Sequence, residues 1–294
     1  MKQPAPSLAR ELLRISRPWW LLAGILMYAL GAGIAAYLGR PIRWDAYLVG
    51  QTCVVLLQWA GGFLRETFEL PPRPPAVPSG GLTRSLTLAV AATLLTIGAV
   101  LTVLMFSAGD LPSTAFLMLG LALAVTLVEA VPPFSLHKAG YGELTQAVFL
   151  ANLVPAFAFV LQTGDLHRLL ALITFPITLL MLSTGLAAGL PTYAADIKNS
   201  RNTMLVRLGW QRGMNLHNLF ILLAYLTLGA GAIAGLPWGI VWPALLGLPI
   251  GLFTIYQMFI IAGGAPPRWR TLLISSGATL ALTVYFITFA LWTG

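Results

Sequence analysis

Apolar residues run through this chain in long stretches, and none of the stretches shows a sustained apolar and polar alternation. A helix that crosses a bilayer needs about 20 mostly apolar residues. Nine segments meet that length: 18–38, 46–64, 85–107, 113–131, 146–163, 168–190, 215–235, 238–262 and 271–292. The breaks carry turn chemistry, as in Gly39-Arg40-Pro41, Gly109-Asp110-Leu111-Pro112, Gly164-Asp165 and Gly235-Leu236-Pro237. The missing alternation argues against a β-barrel. The pattern therefore predicts an all-α membrane protein of nine transmembrane helices, one domain over 1–294. Residues 7–16 are expected to form an amphipathic interfacial helix, with Pro18 opening the first span. The first apolar stretch is too long for the core of a signal peptide.

Composition agrees, since 58% of the 294 residues are hydrophobic and 9% are charged. The net charge of +8 does not indicate nucleic acid, because the basic residues lie between the apolar segments. With the N-terminus inside and nine spans, only Arg40, Arg43 and Arg168 of the 17 Lys and Arg fall in outer connections. Such a split supports a multi-pass protein of the cell (inner) membrane with a cytoplasmic N-terminus. Cys53 is the single cysteine, so no intrachain disulfide or CxxC site exists. His137, His167 and His217 lack metal-ligand spacing and read as surface or interfacial residues.

The carboxylates sort by side. Asp45, Asp110 and Asp165 flank outer turns, whereas Glu66, Glu69, Glu129, Glu143 and Asp196 lie at the inner boundary. The long connections, 65–84, 132–145 and 191–214, are also inner, so function is expected on the cytoplasmic face. Glu66 and Glu69 stand three apart, which on a helix places their Cβ atoms about 5–6 Å from one another. Two like charges at that distance repel by about 3 kcal/mol at an effective dielectric near 20. A divalent cation bridging to a diphosphate would relieve the repulsion; so would interfacial water, with Arg65 pairing to one carboxylate. Asp196 ends the sixth segment among Lys198, Arg201, Arg207 and Arg212, and reads either as a site acid or as a solvated helix-end Asp. A third region runs from Glu129 through Pro132-Pro133 to Gly140-Tyr141-Gly142-Glu143. Trp59, Phe63, Phe68 and Tyr193 are candidate chamber aromatics, with ordinary helix packing the simpler reading.

These residues resemble the UbiA superfamily of intramembrane prenyltransferases, nearest to its 1,4-dihydroxy-2-naphthoate prenyltransferase-like members. Ser16-Arg17-Pro18 is similar to the family's opening. Arg65-Glu66-Thr67-Phe68-Glu69 falls on the first five positions of the acidic motif N-D-x-x-D-x-x-x-D, with Arg73 where the third acid belongs. Pro78-Ser79-Gly80 matches the R-P-x-P-S-G segment. The stretch Pro132 to Glu143 is similar to P-P-x-x-L-K-x-x-G-x-G-E, the most specific match. Asp196, with Thr203 to Gly209, resembles D-x-x-x-D and its T-L-x-V-R-L-G tail. Ser200 stands where the second motif has its second Asp, so both acidic motifs are degenerate.

The resemblance implies a helical bundle around a central cavity open to the cytoplasmic side. It also implies transfer of an isoprenyl group from a prenyl diphosphate to an aromatic, quinone-precursor-like acceptor. Mg2+ is the implied cofactor, with Glu66, Glu69 and Asp196 as catalytic metal ligands and Arg65, Lys138, Lys198 and Arg201 as diphosphate contacts. The implied partners are these two substrates and the lipid bilayer, with no nucleic acid. Two other readings stay open: a UbiA-like protein that binds a polyprenyl lipid without turnover, and a small-molecule transporter. The near absence of mid-span charge argues against ion-coupled transport.

Overall fold

The computed structural model describes residues 15–69 and 83–294. Nearly all of the expected interfacial helix, together with Arg73 and Pro78-Ser79-Gly80, lies outside the described residues. Among the described residues, nine helices are long and apolar enough to cross a membrane. They are α1 (Pro18–Tyr37), α2 (Trp44–Glu69), α3 (Arg84–Ser107), α4 (Ser113–Ala130), α5 (Gly142–Thr163), α6 (Arg168–Lys198), α7 (Trp210–Ile233), α8 (Trp238–Ala262) and α9 (Trp269–Thr293). Every expected span is present, and the fold is an all-α, multi-pass membrane bundle.

The boundaries differ from the sequence expectation in one consistent way. α2 runs on to Glu69, α5 begins at Gly142 and α6 continues to Lys198. Polar terminal turns lower the hydropathy that defines a span, but they do not break the backbone ladder. The acids therefore sit on helices rather than in loops. α6 tightens into one 3₁₀ turn at Leu190–Thr192 before its last helical stretch, Tyr193–Lys198.

Burial identifies the centre of the bundle. The most apolar window of α5 and that of α6 are each 67% buried, against 11% for α3, which lies at the periphery against α2. α1 approaches α5 so closely that a Cβ on Gly31 would lie 2.1 Å from the Pro155 carbonyl oxygen, so only glycine fits. Pro155 has no N–H to donate back to the preceding turn, and α5 widens into one π turn at Phe149–Leu153 just before it.

Two connections at one end of the bundle are tied together. Ala139, in the α4–α5 loop, pairs with Asn202, in the α6–α7 loop, in a parallel bridge. Arg207 donates to the Ala139 carbonyl at 2.9 Å and lies 4.4 Å from the centre of the Tyr141 ring. Gly140, at φ +82°, permits this approach, since a Cβ there would sit 2.4 Å from Arg207 Cδ. The short helix Met204–Leu208 follows, capped by the Thr203 hydroxyl, which accepts from the Val206 N–H.

Candidate functional site

A cavity of about 550 Å³ opens at the end of the bundle where α2, α5, α6 and these tied loops meet. One wall follows α6, through Met181, Gly185, Ala188, Gly189, Thr192 and Asp196. These residues recur at three- and four-residue steps and so share a helix face. From Met181 to Asp196 the wall rises through fifteen helical steps, about 22 Å at 1.5 Å per residue. Small side chains along it leave room for something long and narrow. Polar groups gather toward the mouth: Arg17, Arg65, Glu69, His137, Lys138, Glu143, Gln146, Asp196 and Arg201.

Glu69, on the last turn of α2, and Asp196, on the last turn of α6, are brought together. Arg201 Nη2 contacts Glu69 Oε2 at 3.1 Å, and Arg201 Nη1 lies 4.0 Å from Asp196 Oδ1. One guanidinium therefore bridges acids 127 positions apart (196 − 69). Local backbone geometry delivers it. Ser200 takes a left-handed conformation at φ +51°, and the Arg201 N–H returns to the Asp196 carbonyl at 2.8 Å. Asp196 is only 5% exposed and also accepts from the Thr192 hydroxyl at 2.8 Å.

Arg65 forms a second focus. Its guanidinium donates to Glu129 on α4, and both side chains are largely buried. The Gln146 amide of α5 lies against the same pair, best oriented with its oxygen toward Arg65. Lys138 lines the cavity and donates from Nζ to the Phe68 carbonyl at 2.6 Å, holding the α4–α5 loop against the end of α2. Glu143 accepts from the Met204 N–H at 3.3 Å.

His137 Nδ1 lies 2.7 Å from the Glu129 carbonyl, to which it donates. Nε2 then faces Glu69 Oε1 at 3.4 Å. Burial, with Arg65 and Lys138 nearby, pulls the imidazole pKa below its ordinary value, against the Glu129 carbonyl hydrogen bond and the Glu69 charge, which raise it.

Five of the seven expected site residues line the cavity: Arg65, Glu69, Lys138, Asp196 and Arg201. Glu66 and Lys198 are not among the lining residues. The reason is helical register. Each residue advances about 100°, so Arg65 and Glu69 differ by about 40° and share the cavity face, while Glu66 is turned about 100° from Arg65. Lys198 stands about 200° around from Asp196 and is exposed.

The named aromatics pack elsewhere. Trp59 Nε1 donates to the Ser16 hydroxyl, Phe63 is buried, Phe68 lies under Arg84, and Tyr193 packs on Trp210. Trp20 is the aromatic residue that lines the cavity. Sequence reasoning did not assign Arg17, His137, Glu143 or Gln146 to the site. Arg17 and Glu143 lay inside quoted motifs, which was the available signal. His137 lay inside the Pro132 to Glu143 stretch as well, and Gln146 carried no signal.

Among the described residues there is no group of three or more His, Cys, Asp or Glu able to hold a metal. Mg2+ is commonly held by one or two carboxylates, with substrate phosphate oxygens and water completing its octahedron. Glu69 and Asp196 are two carboxylates of the kind that such an ion takes, lining one cavity.

No protein-family model and no curated protein sequence matches the chain. Solved structures do. A UbiA homologue from Archaeoglobus fulgidus bound to DMAPP and Mg2+ aligns with a TM-score of 0.65 at 15% identity, covering 96% of this chain and 99% of that one. The same homologue bound to GPP and Mg2+ aligns at 0.62 and 15%, with the same coverage. The apo structure of a UbiA homologue from Aeropyrum pernix K1 aligns at 0.59 and 18%, covering 91% and 96%. At these identities the likeness is one of architecture: the chain has the fold of the UbiA homologues over nearly its whole length.

Proposed function

We propose that this chain is a UbiA-like membrane prenyltransferase that takes a prenyl diphosphate head-first into the mouth of the cavity. It passes the isoprenyl group to an aromatic, quinone-precursor-like acceptor, as 1,4-dihydroxy-2-naphthoate prenyltransferase-like members do. The observation that carries this reading is the convergence of Glu69 and Asp196 on Arg201, at the polar end of a long cavity with apolar lining at its depth. The positive-inside charge split supports placing that end at the cytoplasmic face.

Cleaving the allylic C–O bond leaves negative charge on the departing diphosphate and positive charge on the allylic carbon. Arg201, Lys138, Arg65 and Arg17 supply positive charge where the diphosphate develops its own negative charge. Glu69 and Asp196 would hold a divalent ion, whose Lewis acidity adds to that stabilisation. The sides of the cavity toward Met181, with Gly185 and Ala188, give the tail a dry channel and keep water from the cation. An acceptor ring carbon bonds to the allylic carbon as its C–O bond to the diphosphate breaks, and the proton displaced from that ring carbon passes to the departing diphosphate or to water at the mouth.

Purified protein with labelled geranylgeranyl diphosphate, Mg2+ and a dihydroxynaphthoate or related acceptor tests the reading. Product is expected, and Glu69→Ala or Asp196→Ala should lower its formation by about a hundredfold or more. Unchanged turnover in both variants refutes the assignment. One observation favours a second reading, binding without turnover: Ser200 stands where a further acid is expected, and the two acids present are already paired. Diphosphate binding with no product from any acceptor would select it.

A further inference from the structure

The proposed diphosphate site raises a question that its acids answer: what neutralises Glu69 and Asp196 before substrate arrives? Both pair with Arg201, at 3.1 and 4.0 Å, so the guanidinium occupies the space between the two carboxylates, where a divalent ion that either acid ligated would also have to sit. A guanidinium and a divalent ion cannot both occupy the gap between two carboxylates without strong like-charge repulsion. Arg201 is also free to leave, since its side chain is 57% exposed and projects from the connection that follows α6. A departing guanidinium needs a new anion, and a diphosphate offers the oxygens that its planar fork pairs with best.

We propose that Arg201 is a resident counter-ion which excludes the divalent cation from the empty site and exchanges the two carboxylates for the diphosphate when substrate enters. The inference rests on the diphosphate reading above. It makes binding ordered: the metal enters with the diphosphate, not ahead of it. Loss of Arg201 thus has opposite effects on the two binding steps.

The test uses the full chain in lipid nanodiscs, with Mn2+ as a spectroscopic probe and inorganic pyrophosphate as the anion. Arg201→Gln should bind Mn2+ alone about three- to tenfold more tightly than the wild type, the range expected for releasing a partly exposed ion pair. It should bind pyrophosphate in the presence of Mn2+ severalfold more weakly. The gain in Mn2+ affinity should vanish in Arg201→Gln combined with Asp196→Asn. Unchanged or weaker Mn2+ binding by Arg201→Gln overturns the proposal, as does a gain that survives the Asp196 substitution. Tighter Mn2+ binding by Arg201→Gln, with no pyrophosphate uptake by the wild type, contradicts the diphosphate reading while leaving the exclusion of metal by Arg201 in place.

Discussion

Replacing Glu129 by Gln keeps the shape of the side chain and removes its charge. In the structure Glu129 pairs with Arg65, with the Gln146 amide beside them, so three helices meet at one buried charge pair. The side chains are 11% and 14% exposed, respectively. Removing one partner of a fully buried pair costs about 3–5 kcal/mol, because the remaining charge is left without a counter-ion. Arg65 also borders the cavity, where water can reach it, so about 2–3 kcal/mol is expected here. At roughly 2–4 °C per kcal/mol, the midpoint should fall by about 4–12 °C. Thermal unfolding in detergent, followed by tryptophan fluorescence, measures this directly. Combining Arg65→Gln with Glu129→Gln removes both charges and should recover most of the loss. A Glu129→Gln midpoint within about 1 °C of the wild type would refute the reasoning, since it would mean that Arg65 is already neutralised by water or another partner.

Three further outcomes follow from the same geometry. In Gly185→Leu the first added carbon would lie 3.3 Å from Glu143 Cβ and Cγ, so the rest of the side chain enters the cavity; geranylgeranyl diphosphate affinity should fall by about tenfold or more while pyrophosphate still binds. The lowered His137 pKa means that the unfolded chain binds more protons than the folded one below the ordinary pKa of about 6.5. The stability it contributes is therefore complete above that pH and is lost as pH falls through the folded value, so His137→Asn should flatten this part of a stability profile measured from pH 7.5 downward. Asp110→Asn, at the far end of the bundle, removes a 3.3 Å pair with Arg43 whose members are 45% and 41% exposed; it should change stability by less than about 1 kcal/mol and leave transfer intact.

Much of this molecule is legible in its sequence, for physical reasons. Span length is fixed by bilayer thickness, and the turn residues between spans carry their own chemistry, so all nine helices could be read directly. The sequence places Glu66, Glu69 and Asp196 at helix ends on one side and leaves solvated readings open for each; in the structure Glu69 and Asp196 both pair with Arg201. Rotational phase was harder to read. Glu66 and Glu69 look like a pair at i and i+3, yet α2 turns Arg65 and Glu69 into the cavity, and α6 carries Lys198 out to solvent. The hydropathy signal ended α2 at 64, so the phase of its final turn had no reference. Arg201 was picked out as a diphosphate contact, but its hold on both acids depends on the left-handed turn at Ser200, and nothing in the residue type announces that. His137 joins the site through a loop hydrogen bond to the Glu129 carbonyl, a backbone contact without a sequence signature.

The most direct test of the account is an experimental structure of the full chain in lipid with a non-cleavable geranylgeranyl diphosphate analogue and Mg2+. The account predicts diphosphate density between Glu69 and Asp196, within reach of Arg201 and Lys138, and tail density along α6 past Gly185 toward Met181. Diphosphate density at any other surface, or an empty cavity at saturating ligand, would contradict it.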